Sequence, residues 1–139
     1  MLFRSTVIDD HGGDYVLAYS PTVQHHDASW SMVSDMSLWD TYRTTVPLYS
    51  WLSPQSARDQ VKSLQAFATQ LGYYPKWPVA IGESGTMLGS SAEIAIADTV
   101  VRGGQTDLGV DMQMLLTSTG GGRDKVRSEE RRVGKECRL

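Results

Sequence analysis

The sequence predicts an all-α fold that follows a short, extended and loop-rich lead-in. Apolar residues recur at spacings of three and four from Leu38 onward, which places them on single helix faces. Ser53-Pro54 is a strong helix start, and Gly72 stands where a C-terminal cap belongs. Runs of strand type, by contrast, are confined to the first 33 residues. We therefore expect helices joined by loops.

The lead-in, residues 6–35, carries the weakest pattern. Val7-Ile8 and Tyr15–Tyr19 are short β-branched or aromatic runs, and the segment between them contains Gly12-Gly13 and reads as a turn. Because an isolated hairpin is marginal in water, we expect two short extended segments there and no stable sheet.

Two helical patterns follow one another closely after Asp35. The first places its apolar face at Leu38, Tyr42, Thr45/Val46, Tyr49 and Leu52. Pro47 interrupts this stretch and should kink it or split it into two helices. The second begins at Ser53-Pro54 and ends at Gly72. Its predicted inward face consists of Ala57, Val61, Leu64, Phe67/Ala68 and Leu71.

Two further helices are predicted after a glycine- and proline-rich loop at residues 73–89. Ser90 and Glu93 match a capping box at the start of the first. Its expected apolar stripe consists of Ile94, Ala97/Asp98 and Val101. The last helix should span residues 106–117, with Asp111 outward and the inward set Leu108, Met112 and Leu115/Leu116.

The charge balance and the cysteine content exclude several classes of function. The 139 residues carry a net charge of −3 and show no cluster of Lys and Arg, which argues against nucleic-acid binding. No apolar stretch approaches the roughly 20 residues that a membrane helix needs. Cys137 is the single cysteine. His25-His26-Asp27 has no third ligand at a suitable spacing, so no metal site is predicted there.

The chemically suggestive residues form two groups. The first is the run from Ser37 to Arg43, with the sequence SLWDTYR, and the second comprises Lys76-Trp77-Pro78 and Gly82-Glu83-Ser84-Gly85. Aromatic rings accept the C–H face of a pyranose, and charged groups take its hydroxyls by charge-assisted hydrogen bonds. The predicted sugar-contacting residues are Trp39, Asp40, Arg43, Lys76, Trp77 and Glu83.

Each group also has a plain structural explanation. Asp40 could simply be an acidic residue that the helix dipole favours near a helix start, while Trp39 packs in the core. Arg43 follows three residues later and could either clamp Asp40 or form an exposed ion pair with it. Glu83 could be an ordinary solvated acid in a glycine-rich loop.

The order and spacing of these residues resemble glycoside hydrolase family 92, the calcium-dependent exo-acting α-mannosidases. The resemblance covers residues 36–109 and is most specific around Trp39-Asp40. It implies that residues 36–126 belong to a partial α/α toroid, a piece of an (α/α)6 barrel. It also implies a mannose-containing glycan as substrate, inversion of configuration, calcium as cofactor, and a secreted, periplasmic or cell-surface parent enzyme.

The resemblance further assigns roles within the site. It places Asp40 in the pocket that holds the terminal mannose. In the family the general acid, the general base and most calcium ligands belong to later motifs, and nothing in residues 84–126 matches them. We therefore expect no catalytic residue and no metal ligand here, and no turnover by this chain alone. The family often has Asn and Thr where Ile81 and Ser84 stand, which weakens the expectation of polar contacts there.

Two other functions remain open at this stage. Another toroidal glycosidase, of trehalase or glucosidase type, can also place Trp-Asp in its pocket. A non-enzymatic carbohydrate-binding helical module is the alternative from a different class. Recovery of the full gene and assays on α-mannosides and α-glucosides would separate the enzymes.

The two ends of the chain resemble sequencing adapters translated in one frame. Residues 127–137 carry most of this resemblance, and residues 1–5 carry the rest. We expect residues 1–5 and 127–139 to be non-native and the chain to be an internal fragment. The alternative for residues 127–139 is an ordinary basic tail that binds an acidic partner. Residues 6–126 alone hold seven Lys and Arg against thirteen Asp and Glu, a net charge of −6.

Overall fold

The computed structural model describes residues 5–10, 12–87, 89–104 and 108–120. The helices are α1 (Leu38–Thr41), α2 (Thr45–Leu52), α3 (Pro54–Leu71), α4 (Ser91–Val101) and α5 (Leu108–Gly120). The strands are β1 (Thr6–Val7), β2 (Asp14–Tyr15), β3 (Gln24–His25), β4 (Val33–Ser34), β5 (Pro78–Val79) and β6 (Gly82–Glu83). The described chain is thus mostly helical, as predicted, but it also contains three small antiparallel sheets, which the all-α prediction omitted.

The two extended segments predicted in the lead-in exist, but they do not pair with each other. β1 pairs with β4 immediately before α1, and β2 pairs with β3. The turn before β2 is held by the Asp10 carboxylate, which accepts the Gly12 amide at 2.8 Å and the Asp14 amide at 2.9 Å. Each strand is two residues long, so its partner depends on tertiary packing and could not be read from periodicity.

A second, smaller core lies under the lead-in and is organised by His26. The imidazole is 8% exposed; its Nε2 lies 2.7 Å from Asp9 Oδ2, and its Nδ1 lies 2.7 Å from the Asp27 carbonyl oxygen. Its ring also packs against Trp30, with the ring centroids 4.0 Å apart. The fully buried apolar members of this core are Leu17, Met32 and Phe67. His26 therefore holds the lead-in together, and Phe67 connects this core to α3.

The predictions around Pro47 and α3 are confirmed. The chain splits into α1 and α2, and Pro47 lies in the first turn of α2, where a helix needs no backbone donor. α3 begins at Pro54 and ends at Gly72, which adopts a left-handed conformation with φ 79°. Ser53, however, makes no side-chain cap; its hydroxyl lies 2.8 Å from the Ser56 hydroxyl.

The inward face predicted for α4 is wrong, and among the side chains described in α5 the predicted face is right only at Leu115, which packs against the main core. In α4, Ile94 and Val101 are 46% and 85% exposed, and the buried residues are Ser91, Ala92, Ala95, Ile96 and Thr99. In α5, Asp111 is buried, whereas Met112 is 59% exposed. Small residues fill part of these interfaces, and polar residues with hydrogen bonds fill the rest: the Thr99 hydroxyl donates to the Ala95 carbonyl, and Asp111 Oδ1 accepts from Tyr74. Apolar periodicity therefore misplaces the faces. The predicted start of the last helix, at residue 106, lies outside the described residues.

The main core lies between α2, α3 and α4, with contributions from β4 and α1. Its buried residues are Val33, Met36, Leu38, Val46, Val61, Leu64, Ala68, Tyr74, Ala92, Ala95 and Ile96. None of the described helices is long and apolar enough to cross a bilayer. The α/α toroid is a larger assembly than these helices and stays a prediction. The adapter-like ends lie outside the described residues, apart from Ser5.

One face of α2 is apolar and exposed. Leu48, Trp51 and Leu52 share this face and are 46%, 77% and 63% exposed. Exposed patches of this kind promote association. We expect Trp51→Ser to reduce self-association in sedimentation velocity, while the free energy of unfolding changes by no more than about 0.5 kcal/mol. Met112→Ser on α5 is the matched control, and a large loss of stability in Trp51→Ser would contradict the assignment.

Candidate functional site

The first group of site residues lies on α1 and directly after it. The Ser37 carbonyl accepts the amides of Asp40 and Thr41, both at 3.0 Å, and so starts the helix. Leu38 points into the core with 1% exposure, whereas Trp39 is 44% exposed. The explanation that places Trp39 in the core is therefore wrong: Leu38 fills the core, and the indole and the Asp40 carboxylate face outward.

Arg43 contacts aromatic rings and does not pair with Asp40. Its guanidinium carbon lies 5.7 Å from the centroid of the Trp39 ring and 5.1 Å from that of Tyr42, within the range of a cation–π contact. The ion pairs found among the described residues do not include Asp40 with Arg43, so neither the clamp nor the exposed ion pair is found there. Arg43 instead orders the aromatic surface.

The second group lies around the hairpin of β5 and β6, where a loop was predicted. The Glu83 carboxylate accepts backbone amides of its own loop: Lys76 at 2.8 Å, Trp77 at 3.1 Å and Gly85 at 3.1 Å. The explanation of Glu83 as a solvated acid is therefore wrong. This carboxylate shapes the loop, and its capacity to accept sugar hydroxyls is largely taken up.

The other members of this group differ in exposure. Lys76 is only 8% exposed, and Trp77 is partly buried. Tyr74 anchors the start of the segment to α5: its hydroxyl donates to Asp111 at 2.6 Å, and its amide donates to the Ser118 hydroxyl at 3.1 Å. The backbone that carries Trp77 is thus held on one side by α5 and on the other by Glu83.

Two residues that the sequence did not single out hold the hairpin in place. The Asp35 carboxylate accepts the Ala80 amide at 2.9 Å, and the Tyr19 hydroxyl accepts the Glu83 amide. The Ala80 amide is the main cause that lowers the pKa of Asp35, followed by the Thr6 hydroxyl. Partners 45 and 64 residues apart leave no local signal in the sequence.

The first group offers an exposed indole and an exposed carboxylate, and the second offers a partly buried indole on a fixed hairpin. Side chains of these types can bind a polyhydroxylated ring through stacking and charge-assisted hydrogen bonds. Within the described ranges, no group of three or more His, Cys, Asp or Glu side chains is placed to hold a metal ion.

Similar solved structures come from Bacteroides thetaiotaomicron. An inverting mannosidase of family GH92 from strain VPI-5482 shares 26% identity with a TM-score of 0.66, over 78% of this chain and 14% of its own. A GH92 α-mannosidase in complex with mannoimidazole has a TM-score of 0.74 at 20% identity, over 83% of this chain and 16% of its own. A further structure of this α-mannosidase has a TM-score of 0.74 at 21% identity, over 81% of this chain and 15% of its own.

The chain thus spans about one-seventh of the length of these mannosidases. No curated protein matches it. The family model of the glycosyl hydrolase family 92 catalytic domain matches residues 1–135. Since this match covers nearly all of its residues, the chain belongs to glycosyl hydrolase family 92.

Proposed function

We propose that this chain forms part of the mannose-binding wall of an exo-acting α-mannosidase that acts with inversion. The observation that carries the proposal is the outward presentation of Trp39 and Asp40 at the start of α1, with Arg43 against the indole. Family membership supports glycoside hydrolysis, and the mannosidase neighbours support mannose as the sugar.

Each residue of this wall has a distinct role. The Trp39 ring receives the C–H face of the pyranose, and the Asp40 carboxylate accepts hydrogen bonds from two neighbouring hydroxyls. Asp40 is suited to this because none of the described residues donates a hydrogen bond to its carboxylate. Trp77 supplies a second aromatic contact, Glu83 keeps its loop in shape, and Lys76 is a buried member of the same loop.

We assign proton transfer to neither Asp40 nor Glu83. Inverting glycosidases use two carboxyl groups about 6.5–9.5 Å apart, one as acid and one as base. The Glu83 carboxylate is occupied by three backbone amides, and Asp40 serves the sugar hydroxyls. We therefore propose that this chain alone binds the sugar without turning it over. We assign no calcium ligand to this chain.

Titration with mannoimidazole, followed by NMR, tests the proposal. We expect binding to be stronger for mannoimidazole than for glucoimidazole, and Asp40→Asn to weaken it by about tenfold or more, because a hydroxyl loses a charged acceptor. Asp98→Asn is the matched control, since Asp98 forms an ion pair with Arg102 on α4. Binding of glucoimidazole alone would favour a glucosidase-type enzyme, and an unchanged affinity in Asp40→Asn would remove that residue from the site.

A further inference from the structure

The segment just before α1 is joined to the β5–β6 hairpin by a hydrogen bond from the Ala80 amide to the Asp35 carboxylate at 2.9 Å. Asp35 lies two residues before Ser37, whose carbonyl starts α1. Ala80 lies between β5 and β6, three residues from both Trp77 and Glu83. The bond therefore sets the position of the hairpin relative to the helix that carries Trp39.

Both partners of this bond have an unusual backbone conformation. Asp35 has φ 55° and Ala80 has φ 49°, both in the left-handed region. Residues other than glycine rarely adopt it, and such strain persists only where the surroundings enforce it, often at functional sites. Within the described ranges, the other non-glycine residue with positive φ is Met87, in the loop that follows the hairpin. Strain is thus concentrated around the candidate site.

A second set of contacts joins the hairpin to an earlier part of the lead-in, farther from α1 along the chain. The Ala18 amide donates to the Ile81 carbonyl at 2.8 Å, and the Tyr19 hydroxyl contacts the Glu83 amide. A Cβ added to Gly82 would lie 3.3 Å from the Tyr19 hydroxyl, so the hairpin sits close against this segment. Asp35 supplies the connection on the α1 side.

We propose that Asp35 is a positioning residue of the sugar site, whose carboxylate fixes the β5–β6 hairpin against the start of α1 so that Trp39 and Trp77 address the same ligand. This inference rests on the proposed function for the identity of that ligand. The role of the carboxylate in placing the hairpin stands on the Asp35–Ala80 hydrogen bond and the strained backbone on both sides of it.

Two substitutions separate the carboxylate from the backbone conformation. Asp35→Asn keeps a side-chain acceptor and tolerates a left-handed φ. Asp35→Gly relieves the backbone strain but removes the acceptor. A residue needed only for its backbone conformation would accept both changes, whereas a positioning carboxylate accepts only asparagine. Asp98→Asn on α4 serves as the control for loss of a carboxylate.

The test measures amide hydrogen exchange at Ala80 together with ¹⁹F NMR of fluorotryptophan at Trp77 and Trp51. In Asp35→Gly we expect exchange at Ala80 to rise by about tenfold or more and the Trp77 signal to shift, while Trp51 on α2 is unchanged. In Asp35→Asn exchange should stay within about threefold of the parent. The proposal would be overturned if the Ala80 amide stayed protected from exchange in Asp35→Gly, or if both variants lost this protection equally.

Binding of mannoimidazole to the same three proteins provides the second measurement. We expect affinity to fall by about tenfold in Asp35→Gly and to be retained in Asp35→Asn. The unsubstituted protein could fail to bind mannoimidazole while amide exchange at Ala80 still rises in Asp35→Gly and not in Asp35→Asn. That result would refute the proposed function but would establish that Asp35 places the hairpin. Loss of affinity without any change at Ala80 would refute the positioning role.

Discussion

Glu83→Gln is expected to destabilise the β5–β6 hairpin by about 2–4 kcal/mol and to abolish measurable sugar binding. The carboxylate of Glu83 accepts the amides of Lys76, Trp77 and Gly85. Glutamine retains one acceptor oxygen but turns the other into a donor that faces backbone donors. The measurements are urea denaturation and amide hydrogen exchange at Lys76 and Trp77, together with titration of mannoimidazole.

The matched comparison for Glu83→Gln is Asp40→Asn, which removes an exposed carboxylate without a hydrogen-bond donor among the described residues. We expect Asp40→Asn to lower sugar affinity while the free energy of unfolding changes by less than about 0.5 kcal/mol. The two carboxylates should therefore separate into one that shapes the site and one that meets the ligand. A Glu83→Gln protein of unchanged stability and reduced affinity would instead show that Glu83 contacts the sugar directly.

Tyr74→Phe is expected to lower the free energy of unfolding by about 2–3 kcal/mol. Tyr74 is 1% exposed, and its hydroxyl donates to Oδ1 of the buried Asp111, which also accepts from Gln65 at 2.8 Å. Oδ2 of Asp111 is buried without a hydrogen-bond partner. Burial, and then the contact with Asp111, raises the pKa of Tyr74, so the hydroxyl remains a donor. Its loss leaves a buried charge still less compensated.

A double substitution makes this prediction sharper. Replacing both partners of a buried hydrogen bond by apolar groups costs much less than removing one. We therefore expect Tyr74→Phe/Asp111→Leu to regain most of the stability that Tyr74→Phe loses, as measured by urea denaturation. Tyr42→Phe is the control for loss of a tyrosine hydroxyl at a partly buried position. Additive losses in the double variant would show that Asp111 stabilises the fold through other contacts.

The candidate site residues come from the SLWDTYR run and from the spacing to Trp77 and Glu83, and their contact with a sugar stays a prediction. The sequence did not reveal the contacts that these residues make in the fold, because each contact depends on what lies nearby in space. Arg43 contacts two rings, Glu83 binds its own backbone, and Asp35 reaches a hairpin 45 residues away.

The sequence by itself determined the elements whose signals are local. α3 has its proline at the start, its glycine at the end and its apolar residues at helical spacing, and Pro47 separates α1 from α2. Backbone sterics act within a few residues, so such boundaries need no partner. Only the tertiary structure decided the inward faces of α4 and α5 and the pairing of the two-residue strands. Asp111 lies inward, where Oδ1 of its carboxylate accepts hydrogen bonds from Tyr74 and Gln65, and a pattern of apolar residues carries no record of such distant polar partners.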